Sequence, residues 1–342
     1  MTRHLIDLGP RTWLDIHSYS RRGPGRRDRF SAAQLEIVAR TVQRTPEVMV
    51  KMLNRGGQGL GAVARHINYL DRDGDLEIHT DEGERLKGKG AEHVLIDDWD
   101  LDLEDTRRTA DLKPRAMGKP PKLVHKLLFS MPVGTPPKKV LEAVKNFARE
   151  EFGAKHRYAM VLHTDEPHPH VHMVVKAMGD DGKRLNIRRD TLRHWRREFA
   201  RHLREQGAAA NATERAVRGQ TKPQKTDGIH RAAMRGASTH WRQRAEAVGR
   251  QMIAGRFETE PGKDRLLATR RDVVRGWNEV ADDLVVQNQV ELAQAVRRFV
   301  KELPPARTEA EWIRDRLLEQ RRARLPDTRD MSRVRDDREL TR

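Results

Sequence analysis

The chain has 342 residues, enough for one main domain and an extension, and its 68 Lys and Arg against 51 Asp and Glu give a formal net charge of +17. This imbalance favours a polyanionic partner, with nucleic acid ahead of an anionic membrane surface. The absence of cysteine excludes disulfide scaffolds and cysteine-ligated metal centres. No run of 18 apolar residues could span a membrane, and the first residues lack the apolar region of a secretory signal, so the sequence favours a cytoplasmic protein without membrane insertion.

Residues 1–45 are predicted to form a basic N-terminal arm. Five arginines surround residues 23–25, Gly-Pro-Gly, a flexible combination. Toward the end of the arm, Ser31 and Gln34 form a capping-box pattern ahead of an apolar stripe with helical spacing. This pattern predicts a helix that stops at Pro46.

Strand and helix patterns alternate through residues 46–225, which predicts one α/β (α+β) domain. Runs rich in Val, Leu and Met are typical of buried strands and occur at residues 47–53, 123–131, 157–163 and 170–177. Amphipathic helices are predicted over residues 60–70, 135–153 and 190–206. The acidic stretch 92–105 is predicted to be a solvated loop.

After about residue 225 the strand patterns stop. A mostly helical C-terminal region is therefore predicted over residues 226–325. Its helices are expected near residues 231–253, 264–302 and 308–324. The charged tail, residues 326–342, is predicted to be disordered.

The most informative stretch contains His163, Asp165, His170 and His172. Because strand side chains alternate between faces, His170 and His172 point the same way, and His163 ends the preceding strand opposite them. Three converging imidazoles predict a divalent-metal site with open positions for a substrate. Asp165 is placed to orient one of these rings. A pair of histidines on a strand is more often simple packing, but three in this spacing favour a metal site.

The chain has only three tyrosines, Tyr19, Tyr69 and Tyr158, so a nucleophilic tyrosine can be sought by elimination. Tyr158 alternates in phase with apolar core positions, and Tyr19 lies in the basic arm. Tyr69 lies opposite the apolar stripe of its helix, with Arg65 and Arg72 beside it on the polar face. A phenol held over arginines loses its proton more easily and can attack a phosphate. An ordinary exposed tyrosine is the alternative.

Three motifs occur in the order seen in conjugative relaxases. They are RHINYLDRDG (65–74), KLLFSMPVGT (126–135) and HTDEPHPHVHMVV (163–175). The sequence resembles the P-type mobilisation class of that family and the border endonuclease of tumour-inducing plasmids. The segment ERAVRG (214–219) also looks like that group, and the resemblance covers roughly residues 46–220.

The resemblance implies an HUH endonuclease fold, a central antiparallel sheet with packed helices, and a site- and strand-specific nickase. Tyr69 would attack the scissile phosphate in single-stranded DNA, leaving a 5′-phosphotyrosyl adduct and a free 3′ hydroxyl. His163, His170 and His172 would hold Mg²⁺ or Mn²⁺. Nitrogen ligands favour Mn²⁺ or a weakly held Mg²⁺. Ser130 would contact DNA 3′ of the nick.

The resemblance also implies the partners. These are single-stranded DNA at an origin of transfer, accessory proteins of the relaxosome and the coupling protein of a type IV secretion system, with the protein carried into the recipient cell. The basic face of the helix at 190–206 predicts further phosphate contacts. The residues expected to bind DNA are Arg65, Arg72, Ser130, Arg193, Arg197 and Arg201.

Three other functions stay open on the sequence alone. A rolling-circle replication initiator or a transposase would share the same catalytic core. A non-enzymatic relaxosome protein would bind DNA without needing the three histidines. A zinc hydrolase would use the histidines with Asp165 or Glu166 as the base and would not need Tyr69.

Overall fold

Six strands pair into one antiparallel sheet in the computed structural model, which describes residues 29–53, 59–110, 122–220, 238–258 and 260–324. The strands are β1 (Met49–Met52), β2 (Ile78–Thr80), β3 (Arg85–Leu86), β4 (Val124–Ser130), β5 (Tyr158–His163) and β6 (His170–Lys176). Their order across the sheet is β1-β4-β6-β5-β2-β3, and every neighbouring pair is antiparallel. The predicted α+β class with a central antiparallel sheet is confirmed.

The chain divides into two compact units. The sheet unit is residues 43–213, and the helical unit combines residues 1–42 with residues 214–342. The helices of the described residues are α1 (Ala32–Val42), α2 (Leu60–Leu70), α3 (Ala91–Asp98), α4 (Leu101–Ala110), α5 (Pro137–Phe152), α6 (Arg189–Glu205), α7 (Thr239–Ala254), α8 (Lys263–Val286), α9 (Val290–Lys301) and α10 (Glu309–Arg324).

Helices cover the sheet on both faces, because alternate residues of its central strands are apolar on both sides. One face packs against α5 and α6, where Phe129 of β4 contacts the rings of Phe147 and Phe199 at centroid distances of 5.0 and 5.3 Å. Each such aromatic pair contributes roughly 1 kcal/mol beyond its buried area. The other face packs against α2, α3 and α4, and this second face carries the histidines.

The acidic stretch 92–105 is helical, and the prediction of a solvated loop is wrong. Trp99 and Leu101 are fully buried in the core, which anchors the segment as α3 and α4. The acidic side chains of this stretch form hydrogen bonds and ion pairs with residues that are distant in sequence. Asp98 accepts a hydrogen bond from Arg157 at 2.6 Å, Glu104 pairs with Arg184 at 3.2 Å, and Asp105 accepts from the amide at the start of α2 at 3.4 Å. A carboxylate at a helix N-terminus is stabilising, so the acidic stretch helps to hold α2.

The helical unit has its own core, in which Trp277 of α8 packs against Phe299 of α9. The Trp277 indole donates a hydrogen bond to the carbonyl of Val217 at 2.9 Å. The single helix predicted over 264–302 is two helices, since Asn288 adopts the left-handed region at φ 62° and turns the chain. Among the described residues, no helix has the length and apolar content needed to cross a bilayer.

The unit boundaries differ from those expected from the sequence. Helix α1 begins with the predicted capping box, with the amide of Ser31 donating to the Gln34 side chain at 2.9 Å. It does not belong to a separate arm, because Val38 is buried in the core of the helical unit. The sheet unit ends at Thr213 rather than near residue 225. The arginine-rich part of the arm, residues 1–28, and the tail, residues 326–342, lie outside the described residues.

Candidate active site

The three histidines meet at one end of the β5–β6 pair. His163 lies directly opposite His170 in the register, and His172 follows two residues later on the same face. Their ring centroids are 4.8 to 5.3 Å apart, and one nitrogen from each lies within 4.8 Å of the others. The structure therefore brings together the ligand set expected from the sequence.

Hydrogen bonds orient two of the rings. Nε2 of His163 lies 2.7 Å from the carbonyl oxygen of Leu70, and Nδ1 of His170 lies 2.9 Å from that of His168. Each of these nitrogens must carry the proton to donate, so the lone pairs remain on Nδ1 of His163 and Nε2 of His170. This arrangement is typical of metal ligands, whose second ring nitrogen is held by a carbonyl.

Burial favours the neutral form of His163 and His172, the form that metal binding requires. Burial lowers the pKa of His163, and burial together with the neighbouring histidines lowers the pKa of His172 to about 3. Within the described part of the chain, the shielded Nδ1 of His172 has no hydrogen-bond partner. Three imidazole nitrogens within 4.8 Å of one another fit a divalent ion such as Mn²⁺ and would hold Mg²⁺ more weakly.

Tyr69 projects from the last turn of α2. Its neighbours Val63, Ile67 and Leu70 are buried against the sheet, whereas the Tyr69 side chain is 55% exposed. The guanidinium of Arg72 lies over its ring, 5.2 Å from the centroid. The tyrosine therefore stands at the solvent side of the site with a cation against its ring, as the helical spacing predicted.

Arg72 connects the tyrosine to the histidines. Its Nη2 lies 2.5 Å from Oδ2 of Asp165 and 3.5 Å from Nδ1 of His163. Burial would lower the pKa of Arg72, but its interactions with the Tyr69 hydroxyl and with Asp165 raise that pKa above the usual value. The residue has a left-handed φ of 57°, a rare conformation that costs an ordinary side chain about 1 kcal/mol or more. The surrounding contacts hold Arg72 in this strained position.

Asp165 contacts Arg72 rather than a histidine ring. Its Oδ1 lies 3.9 Å from Nδ1 of His163, too far for a hydrogen bond. Burial would raise the pKa of Asp165, but a backbone amide and Arg72 hold that pKa below its usual value. The carboxylate is therefore placed to position Arg72, and through it the tyrosine, instead of orienting a metal ligand directly as the sequence suggested.

The remaining DNA-binding candidates fall into two groups. Ser130 is buried beside His170, its direct partner in the β4–β6 register, and Arg65 lies exposed on α2 one turn before Tyr69. The candidates on α6 lie on the opposite side of the sheet, because Trp195 and Phe199 of that helix pack into the other core.

The arginines of α6 are also engaged with acids. Arg201 binds Glu150, Glu198 and Glu205 at 2.7 to 2.8 Å, and Arg193 binds Asp190 at 2.8 Å. Burial lowers the pKa of Arg197. The structure does not bring Arg193, Arg197 and Arg201 to the histidine site, and their phosphate contacts stay a prediction for the opposite side of the sheet.

Sequence reasoning missed His66, which lies on the sheet side of α2 one turn before Tyr69. Burial, and then the charge of Lys126, lower its pKa to about 4. Its Nε2 is shielded and unpartnered in the described residues. The one sequence feature that could have identified His66 is its position three residues before Tyr69. Residues at this spacing are neighbours on a helix surface.

Buried neutral histidines should make the stability of the metal-free protein depend on pH. Burial is the main cause that lowers the pKa of His66 and of His125 to about 4 and that of His172 to about 3. In the unfolded chain these rings titrate near 6.5, so protons bind the unfolded state first. We expect the free energy of unfolding to be highest above pH 6.5 and to fall as the pH drops toward 4. Urea unfolding at several pH values would measure this, and an unchanged midpoint would contradict it.

Part of the chain, including the three histidines, matches a known protein family. Residues 71–208 match the family described as "Relaxase: MobA/VirD2-like, nuclease domain", a span that includes the three histidines and begins two residues after Tyr69. The chain is 24% identical over 262 residues to the T-DNA border endonuclease VirD2 of Rhizobium radiobacter, covering 69% of this chain and 55% of that protein.

Two further relatives show similar identity over shorter spans. The VirD2 endonuclease of Agrobacterium fabrum is 25% identical over 52% of this chain and 41% of its own length. The 43 kDa relaxation protein of Salmonella typhimurium is 25% identical over 48% of this chain and 42% of its own length. The chain thus spans about half the length of these relatives. Residues 71–208, the histidine-bearing region, therefore resemble MobA/VirD2-like relaxase nuclease domains.

Proposed function

We propose that this protein is a relaxase that nicks one strand of DNA at the nic site of an origin of transfer by tyrosine transesterification. The observation that carries the proposal is the link from Tyr69 through Arg72 to Asp165 and His163, which joins an exposed tyrosine to a three-histidine site. The family match supports a nuclease, and the names of the relatives support DNA nicking.

In the proposed reaction the phenolic oxygen of Tyr69 attacks the scissile phosphorus. The new bond joins that oxygen to phosphorus, the bond from phosphorus to the 3′ oxygen breaks, and the 3′ oxygen takes up a proton. The products are a 5′-phosphotyrosyl adduct and a free 3′ hydroxyl. Because one phosphodiester is exchanged for another ester, the step is reversible and the same site can rejoin the strand.

The side chains of the site have separate roles in this step. Arg72 stabilises the negative charge on the phenolic oxygen as the proton leaves, and Asp165 keeps Arg72 in place. His163, His170 and His172 would hold Mg²⁺ or Mn²⁺, which when bound neutralises charge on the phosphate oxygens.

The geometry gives less support to a zinc hydrolase with Asp165 as its base. Such an enzyme needs a carboxylate base free to take a proton from water. Asp165 is bound to Arg72, which with a backbone amide keeps the pKa of this carboxylate low and makes it a weak base. A replication initiator or transposase would use the same residues, and the DNA sequence that is cut separates these functions.

The direct test is a covalent adduct that survives denaturation. The full chain is incubated with a single-stranded oligonucleotide library and Mn²⁺, and the products are separated on a denaturing gel. A shifted protein band whose DNA joins Tyr69 through its 5′ end supports the proposal, and sequencing the attached DNA gives the nic site. Failure to form any adduct with Mn²⁺ or Mg²⁺ would refute it, and a non-enzymatic binding protein would then be the better description.

We also propose that the helical unit recruits the relaxosome accessory proteins and a type IV secretion coupling protein. The protein would then act in the donor cytoplasm and be carried to the recipient cell.

A truncated protein tests this proposal. Both cores of the sheet unit, which hold the proposed catalytic residues, lie inside residues 43–213. We therefore expect a fragment of residues 43–213 to nick oligonucleotides within about threefold of the full chain but to fail in a conjugative transfer assay. Transfer at the full rate would contradict recruitment by the helical unit, and an unfolded fragment would show that this unit is part of the nuclease.

A further inference from the structure

The third histidine of the site lacks the support that the other two have. His163 and His170 each donate one ring N–H to a backbone carbonyl, that of Leu70 and that of His168 respectively. In the described residues, Nδ1 of His172 is shielded from solvent and has no partner. A shielded polar atom without a hydrogen bond is destabilising. His172 therefore needs a partner beside Nδ1.

That partner decides whether His172 can bind a metal. A neutral imidazole has one N–H and one lone pair, and a metal ligand must offer the lone pair. Because Nδ1 is the enclosed nitrogen of His172, Nε2 is the one left for a metal. The second nitrogen of a metal-binding histidine usually donates its N–H to a fixed acceptor, which sets the tautomer. An acceptor beside Nδ1 would keep the Nε2 lone pair of His172 available.

Helix α2 covers the part of the sheet that contains His172. His172 pairs with Val161 of β5, and Val174 lies in the next row of the register. Both valines share one buried core with Val63 and Ile67 of the helix. The inner side of α2 therefore lies over these two rows.

His66 is the histidine that α2 places over the sheet at this point. The carbonyl of Leu70 marks where the end of the helix meets His163, and His66 comes four residues earlier, about 6 Å along the helix. On the sheet, His172 lies two strand residues, or about 6.6 Å, beyond the row of His163. Because these two distances match, His66 comes to lie over the row of His172.

His66 also meets the chemical requirement for the missing acceptor. Among the described residues, its Nε2 is shielded and has no partner, like Nδ1 of His172. The two rings are close enough that His66, after burial and the other two histidines of the site, helps to lower the pKa of His172. With its own proton on Nδ1, His66 offers a lone pair at Nε2. An enclosed donor and an enclosed acceptor, each without a partner, therefore lie close together.

We infer that His66 is a positioning residue for the metal site. Its Nε2 accepts a hydrogen bond from Nδ1–H of His172, directly or through one water molecule, and this leaves the Nε2 lone pair of His172 free for the metal. The inference rests on the metal site of the proposed function. The helix that carries Tyr69 would then also orient the third metal ligand.

The first test measures the tautomer of His172 in the metal-free, full-length protein. Ring nitrogen shifts in a long-range ¹H–¹⁵N spectrum show which nitrogen carries the proton, and loss of the signals in His172→Ala identifies the ring. We expect the proton on Nδ1. His66→Leu removes the acceptor and should move the proton toward Nε2, the position that a free imidazole prefers. His66→Gln supplies an amide oxygen as acceptor and should keep the proton on Nδ1.

The second test measures Mn²⁺ affinity by titration calorimetry without DNA. We expect His66→Leu to weaken Mn²⁺ binding about 10- to 100-fold, the usual effect of losing a residue that supports a metal ligand. His66→Gln should stay within about threefold of the wild-type affinity, because the acceptor is restored.

His125→Leu is the matched control. It removes another histidine whose pKa burial lowers to about 4, and it lies on the opposite face of β4, where the next residue on that face, Leu127, belongs to the other core. Its Mn²⁺ affinity and the tautomer of His172 should be unchanged. If His66→Leu fails to fold, His66→Met takes its place, because the flexible Met side chain adapts to irregular spaces.

Three results would overturn the inference. These are a wild-type His172 with its proton on Nε2, a His66→Leu protein with unchanged tautomer and Mn²⁺ affinity, and equal losses of affinity in His66→Leu and His66→Gln. In the last two cases His66 only fills space. If the wild-type protein binds no Mn²⁺, the metal site and this inference fail together. If it binds Mn²⁺ but forms no DNA adduct, the nickase proposal fails and the same measurements still decide the role of His66.

Discussion

Replacing Tyr69 with Phe is expected to abolish covalent attachment to DNA, with the adduct yield falling at least about a thousandfold. The substitution removes only the phenolic oxygen, which is the proposed nucleophile, and leaves the ring on which the Arg72 guanidinium lies. Because the Tyr69 side chain is 55% exposed, the fold loses little. DNA affinity should therefore stay within about twofold to threefold of the wild-type value in a fluorescence anisotropy assay.

The other two tyrosines provide the controls. Tyr158→Phe alters a ring buried in the sheet core, where burial raises the pKa of the hydroxyl and makes it a poor nucleophile. Tyr19→Phe alters a residue outside the described part of the chain. Both variants should form adducts as the wild type does. An adduct formed by the Tyr69→Phe protein at the wild-type rate would show that another residue attacks the phosphate.

Replacing His172 with Ala is expected to weaken metal binding at least about a hundredfold and to reduce nicking in parallel. Even the loss of a residue that only supports a ligand commonly costs 10- to 100-fold in metal affinity, and a direct ligand should cost more. His170→Ala should behave in the same way, because its Nε2 is available to a metal while Nδ1 is held by a carbonyl. Titration calorimetry with Mn²⁺ measures the affinity without any DNA.

His168→Ala is the matched control for the metal site. It removes a histidine from the same turn, and its exposed side chain lies outside the three-histidine cluster. Its carbonyl, which holds His170, remains in place after the substitution. Unchanged Mn²⁺ affinity in both His170→Ala and His172→Ala would mean that the three histidines do not form the metal site.

The geometry of the histidines could be predicted from the sequence because it depends on two local rules. Side chains on a strand alternate, which puts His170 and His172 on one face, and a short turn places His163 opposite. The exposure of Tyr69 follows in the same way from helical spacing. Both rules act within a few residues, where the chain has little freedom.

Features that depend on distant pairing could not be predicted in this way. The bond from Arg72 to Asp165 joins residues 93 positions apart, and the pairing of Arg201 with Glu150 requires α5 and α6 to pack side by side. The hairpin of β2 and β3 has strands of only three and two residues, too short for a periodic pattern. The charges of the acidic stretch 92–105 favour a solvated loop when the sequence is considered alone. In the structure this stretch is helical, and its carboxylates pair with arginines elsewhere in the sheet unit.

The division of the chain makes the sheet unit an insertion in the helical unit, and this affects the order of folding. The two ends of the insertion are held side by side, with the amide of Val48 donating to Asn211 at 2.9 Å and that of Asn211 donating to Pro46 at 2.8 Å. Helix α1 must otherwise reach Trp277 across a loop of about 240 residues. A folded insertion shortens that loop to about 70 residues, which lowers the entropic cost of closing it by about 1 kcal/mol. During synthesis the sheet unit can fold as soon as residue 213 emerges, whereas α1 waits for α8 and α9. A ribosome-bound chain should therefore fold its sheet unit before its helical unit.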